Sequence, residues 1–176
     1  MKPKIITAAE LGLSFQNLFG PLGTPKWVTG HWSAGVVDRD LKHAIELARQ
    51  YHAQHARQGW GGIGYHFMVT RAGHILCLRP LALKGAHVGG WNSQNVGVLF
   101  CGGAPGHRGT LDPRQVDAYR WLLSNAHTTQ MPRAHRSPVK LSKPTCGRRG
   151  HNDWSGHESN QCPGTFKHEI LTARNR

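Results

Sequence analysis

Acidic side chains are scarce in this sequence, with 9 Asp+Glu against 22 Lys+Arg over 176 residues, a formal net charge of +13. Such a balance predicts a polyanionic partner, whether nucleic acid, an anionic membrane surface or an anionic wall polymer. Cysteine is scarce too. The four thiols (Cys77, Cys101, Cys146, Cys162) are too irregularly spaced for a disulfide framework, which leaves thiols or metal ligands in a reducing compartment. No run of about 18 apolar residues is present, which excludes a membrane-spanning helix and stable membrane insertion. The first residues do not join a basic start to an apolar core and a small-residue cleavage site, since Glu10 and Gln16 interrupt them, so the expected starting compartment is the cytoplasm. Repeats and low-complexity tracts are likewise missing. Histidine is abundant: 13 rings outnumber all the acids, which favours a metal site without locating it.

The length fits one domain able to bury roughly two-thirds of its unfolded surface without disulfide staples. Residues 26–33 (KWVTGHWS) read as a strand ending near His31. Asp38 is placed to cap a helix whose apolar positions Leu41, Ala44, Ile45, Ala48 and Tyr51 recur at helical spacing, up to the glycines that begin at Gly59. Residues 64–70 and 74–79 form a hairpin around Arg71-Ala72-Gly73, with Tyr65, Phe67 and Val69 assigned to one face and His66 to the other. Residues 95–101 (NVGVLFC) suit a strand buried on both faces. A second helix starts at Asp112-Pro113 and carries Val116, Tyr119, Leu122, Leu123 and Ala126 on one stripe. From 128 to 160 periodicity is lost in a long basic loop, and a short helix from 165 to about 173 closes the chain. The expectation is a single α/β domain over 1–176. A central mixed sheet is flanked by helices, residues 1–25 are an N-terminal extension, and the 128–160 loop leads into a metal site at one end of the sheet.

Catalytic zinc keeps three protein ligands and an open position, whereas structural zinc is closed by four. Cys146, His151, His157 and Cys162 have the makings of a closed knuckle, though at no standard finger spacing. The open alternative takes His31, one histidine of the C-terminal loop, and Cys162.

Four ordered blocks carry a resemblance: residues 28–35 (VTGHWSAG), 59–73 (GWGGIGYHFMVTRAG), 85–103 (GAHVGGWNSQNVGVLFCGG), and 150–154 (GHNDW) with 162–164 (CPG). In these the chain resembles the type 2 N-acetylmuramoyl-L-alanine amidases, the zinc enzymes that include phage lysozyme-type amidases and peptidoglycan recognition proteins. The resemblance implies a Zn2+ cofactor and hydrolysis of the amide between N-acetylmuramic acid and L-alanine in peptidoglycan. By position it implies His31, His151 and Cys162 as metal ligands and Tyr65 as the tyrosine facing the reacting water. It implies His87 and Asn95 as parts of the substrate groove, and Trp91 in its glycine loop offers a ring on which a sugar can stack.

The sequence departs from the family pattern in two places. Eleven positions separate His151 from Cys162 (162 − 151), a short insertion relative to the family, so His157 competes as the second ligand. The flanks Gly150, Asp153 and Trp154 favour His151. Where phage members often carry a catalytic lysine two residues before the cysteine, this chain has Asn160, which can donate a hydrogen bond but not a proton. Tyr65, Glu158 and His87 stay open as the proton donor. The expected protein is a monomeric phage endolysin held in the host cytoplasm until it reaches the wall, drawn to anionic wall polymers by its charge. A peptidoglycan binder without catalysis is disfavoured by Cys162. A nucleic-acid binder is disfavoured because no aromatic interrupts the basic run from 133 to 149.

Overall fold

Alternating apolar residues build a six-stranded mixed sheet in the computed structural model, which describes residues 2–103 and 110–173. In chain order the elements are β1 (Ile5–Ile6), β2 (Trp27–Trp32), α1 (Leu41–Arg57), β3 (Phe67–Val69), β4 (Ile75–Cys77), β5 (Asn95–Phe100), α2 (Pro113–Asn125), β6 (Gly147–Gly150) and α3 (Lys167–Thr172). The strands lie in the order β1-β4-β3-β5-β2-β6, and only the β3–β4 hairpin is antiparallel.

Period-two alternation deals the core to two faces. Val28, Trp32, Phe67, Val69, Val96, Val98 and Phe100 pack with Tyr119, Leu122 and Leu123 of α2 and Ile170 of α3. Met68, Leu76 and Leu99 pack on the other face with Ala44, Leu47 and Ala48 of α1. The sheet is therefore covered on both sides, as the near-continuous apolar run of β5 requires. At α2, Asp112 and Gln115 form a reciprocal capping box ahead of Pro113.

Several sequence expectations change. The cap of α1 is Asp40, whose carboxylate accepts from the His43 amide at 2.7 Å; Asp38 instead accepts from the Arg71 amide, tying the hairpin turn to the chain before α1. The segment from 128 to 160 is not one loop. It contributes β6, short 3-10 turns at Arg133–His135 and His151–Asp153, and the buried side chains Met131, His135, Leu141, Cys146 and Trp154. Residues 1–25, read as an extension, supply edge strand β1 and the buried Leu11 and Leu22.

Candidate metal centre

The parallel pairing of β2 with β6 brings two of the candidate ligands together. The β2–β6 register pairs Gly30 with Gly150, so the next residue on each chain, His31 and His151, leaves the same edge side by side, with ring centroids 4.8 Å apart. Glycine is required at both paired positions. A Cβ at Gly30 would sit 2.5 Å from Ile170 Cδ1, and one at Gly150 would sit 2.6 Å from Cδ of Pro163. That proline follows Cys162, whose carbonyl accepts from the Asn152 amide at 3.1 Å. The Cys162 sulfur accepts from the Trp32 amide at 3.2 Å and lies 3.8 Å from His31 Nδ1.

His31, His151 and Cys162 thus hold one ligand atom each within 4.8 Å of one another, the one such cluster among the described residues. It lies at the carboxyl ends of parallel strands, where open α/β sheets place their sites. Burial pushes His31 well below the ordinary imidazole range and His151 down to about 4, so both rings are neutral and offer lone pairs. Burial also pushes the Cys162 thiol up to about 12, a cost that a neighbouring cation reverses. Two nitrogens and a sulfur match the donors zinc takes, and three protein donors leave a position open.

Around this cluster, the Tyr65 ring lies 5.0 Å from that of His31, and burial raises its hydroxyl pKa. Tyr65 precedes the regular strand, so alternation fails there and the ring packs with the α1-side cluster, away from Phe67 and Val69. His66 is fully buried, accepting from the Gly97 amide at Nδ1 and donating from Nε2 to the Leu83 carbonyl, both at 3.0 Å. His87 stands edge-on to His31. Its ring occupies space that a Cβ at Gly85 or Gly97 would invade, at 2.6 and 2.7 Å.

A cavity of about 530 Å³ opens over the centre, lined by Tyr65, His87, His151, His157 and Asn160 and walled by Phe19 and Trp60. Asn160 also accepts from the Cys162 amide through Oδ1, at 2.8 Å. Glu158 is exposed and does not line this cavity. Asn95, expected to touch substrate, is fully buried. Its Oδ1 accepts from Thr29 Oγ1 and its Nδ2 donates to the Trp91 carbonyl, both at 2.9 Å, so it braces the groove wall from behind. Trp91 is 43% exposed, stacks on Trp154 at 5.1 Å and donates from Nε1 to the Ser155 carbonyl. The four-ligand knuckle does not form, because Cys146 is buried in the α2-side core. His157 hydrogen-bonds to His151 but is not one of the three clustered residues.

Two histidines of α1, His52 and His55, also reach the glycine segment beside the cavity. They accept from the amides of Ile63 and Gly64, and His55 lines the cavity. The sequence does not single out Phe19 and Trp60; a signal for Trp60 lay in its position at the head of the glycine run.

The family described as N-acetylmuramoyl-L-alanine amidase matches residues 22–165. The endolysin of Klebsiella phage KP32 is 40% identical over 96 residues, 53% of this chain and 60% of that protein. The endolysin of Enterobacteria phage K11 is 34% identical over 102 residues, 56% of this chain and 64% of that protein. Peptidoglycan-recognition protein SC2 of Drosophila melanogaster is 37% identical over 97 residues, 54% of this chain and 52% of that protein. The chain spans about three fifths of the length of the two endolysins. The crystal structure of Drosophila peptidoglycan recognition protein SD superposes with a TM-score of 0.79 at 21% identity, covering 97% of this chain and 95% of that one, a likeness of fold.

Proposed function

Because the chain belongs to the N-acetylmuramoyl-L-alanine amidase family, we propose that it is a zinc-dependent endolysin that hydrolyses the amide between N-acetylmuramic acid and L-alanine in peptidoglycan. The observation that carries this reading is the convergence of His31, His151 and Cys162, with His151 lining an open cavity beside them. Zinc held by these three supplies a Lewis acid that polarises the scissile carbonyl and lowers the pKa of water.

The chain's own residues do the rest. Tyr65, kept protonated by burial, donates its hydroxyl hydrogen to the oxygen on which negative charge develops. Asn160, with Oδ1 committed to the Cys162 amide, has Nδ2 left to donate to substrate. The leaving amine takes its proton through Tyr65 and solvent, because Glu158 lies outside the cavity lining and burial holds His87 neutral, with its pKa near 3. Exposed Trp91 offers a stacking face to a sugar ring at the groove edge.

The net charge of +13 draws the enzyme to anionic wall polymers. The described residues contain no helix long and apolar enough to cross a membrane. The endolysin relatives support a protein held in the host cytoplasm until it is released to the wall.

The test is release of free N-terminal alanine from purified walls, with and without a chelator. Release that stops on chelation and returns with zinc is the expected result. Binding to walls without release, zinc present, refutes the enzyme reading in favour of a recognition protein. Lytic activity that does not change up to about 0.3 M salt, where screening shortens to well under 10 Å, refutes the charge argument.

A further inference from the structure

Each imidazole of the proposed metal centre is hydrogen-bonded to a second histidine, and each second histidine is anchored on a backbone carbonyl. On one side, His87 Nε2 lies 3.1 Å from the Asn95 carbonyl oxygen and His87 Nδ1 lies 3.1 Å from His31 Nε2. A carbonyl only accepts, so the proton of His87 sits on Nε2 and its Nδ1 is the acceptor. The partner nitrogen, His31 Nε2, must then carry a hydrogen. The lone pair of His31 is left on Nδ1, the atom that faces the Cys162 sulfur at 3.8 Å.

The other side repeats this logic with different residues. His157 Nε2 lies 3.0 Å from the Gly89 carbonyl oxygen, and His157 Nδ1 lies 3.1 Å from His151 Nε2. His151 therefore donates from Nε2 and keeps its lone pair on Nδ1. Both carbonyl anchors belong to one stretch, from Gly89 to the first residue of β5, so a single loop steers both relays. The insertion between His151 and Cys162 is what provides the second relay. Successive turns, from the Trp154 carbonyl to the His157 amide and from the His157 carbonyl to the Asn160 amide, fold it back until His157 reaches His151.

We infer that His87 and His157 are matched positioning residues, each fixing the tautomer and ring orientation of one metal-binding imidazole so that both present Nδ1. The inference rests on the metal-binding reading above. It assigns His157 a role distinct from ligation. Outer partners of this kind hold ligand rings in register, and their loss typically weakens metal binding by about 10- to 100-fold.

His157 lies in a half-exposed turn, so its substitution spares the core. The experiment uses the full chain stripped by a chelator, with zinc affinity read by competition against a chromophoric chelator. His157→Ala is expected to weaken zinc binding by about 10- to 100-fold while the melting temperature of the stripped protein stays put. His157→Asn places a side-chain oxygen close to where Nδ1 accepted, and is expected to recover most of the affinity. Long-range proton–nitrogen correlation spectra of the imidazoles should show Nε2–H on His31, His87, His151 and His157. Zinc binding by His157→Ala equal to that of the parent, or a proton on Nδ1 of His31 or His151, overturns the inference. A parent chain that takes up no zinc defeats the metal reading instead, and the spectra of the stripped protein then decide the relays on their own.

Discussion

Arg79 is the most consequential residue outside the metal cluster, and its replacement is the sharpest test of how the groove is held. The residue is 1% exposed. It donates to four backbone carbonyls: Ile63 and Gly62 at 2.9 Å, Trp60 at 2.5 Å and Lys84 at 3.2 Å. No carboxylate pairs with it among the described residues, and burial lowers its pKa only to about 10, so it stays charged at neutral pH. The carbonyls belong mainly to the glycine segment that delivers Trp60 and Tyr65 to the cavity, a stretch with no sheet ladder of its own. In Arg79→Met the acceptors at Trp60 and Lys84 are near enough to the surface to take water, but those at Gly62 and Ile63 are buried. Two orphaned carbonyls at about 1–3 kcal/mol each, less the relief of no longer burying a charge, give a net loss of about 3–4 kcal/mol. For a chain of this size that is a fall in melting temperature of about 6–15 °C. Urea and thermal unfolding measure the global loss. Hydrogen exchange at the amides of Ile63 and Gly64, which donate to His52 and His55, measures the local one. A Met variant within about 1 kcal/mol of the parent, with those amides still protected, would refute the reasoning.

Three further outcomes are expected. The buried ring of His66, saturated by the Gly97 amide and the Leu83 carbonyl, has its pKa lowered in the folded state, so the unfolded chain binds more protons below pH 6.5. Stability is therefore flat above about pH 7 and falls as pH drops, by about 2 kcal/mol at pH 5 for each ring that stays neutral there; equal stability of the metal-free chain at pH 7 and pH 5 would sink this account. In Gly64→Ala the new Cβ would lie 2.0 Å from the Ala86 carbonyl oxygen, in a backbone strap that has no flexible side chain to yield, so a soluble variant melting within about 2 °C of the parent contradicts the packing. Tyr65→Phe should keep the fold and zinc affinity but lose about 100-fold or more in turnover, read by alanine release; unchanged turnover removes Tyr65 from the chemistry.

The parts of the fold legible in the sequence are those with a period or an apolar run. Helices α1 and α2 and the β3–β4 hairpin each carry a repeating apolar pattern, β5 adds a near-continuous apolar run, and all four lie where the sequence places them. Strand β6 has neither, because its sequence is GRRG. It joins the sheet by main-chain pairing along β2, where Arg149 lies over the rings of Trp27 and Trp154 at 4.5 and 4.9 Å. The core residues between 128 and 160 are buried singly at irregular intervals, which no window of fixed period detects. The preference for His151 over His157 rested on its flanks alone for the same reason. Spacing to Cys162 allowed either, whereas the pairing of Gly30 with Gly150 sets His151 beside His31, and that pairing is invisible until β6 is recognised.

The structure also divides the basic charge into parts that spacing along the chain could not separate. Arg79 is internal, and Arg148 donates to the Leu171 carbonyl at 3.3 Å. Arg149 is committed to two tryptophans and to the Asp153 carbonyl. These three brace the sheet edge and the groove wall, and their side chains are not spare donors for a wall polymer. Arg133, Arg136 and Lys143 are exposed in the same region, Arg136 with one donor on the Met131 carbonyl at 3.3 Å, so on the proposed function direct contact with an anionic polymer in this region would fall to them. Long-range attraction is different, because every one of the cations adds to the field whether or not it touches the partner. Salt therefore acts on the whole excess of +13, while neutralising the exposed three should weaken wall binding without disturbing the sheet edge that positions His151.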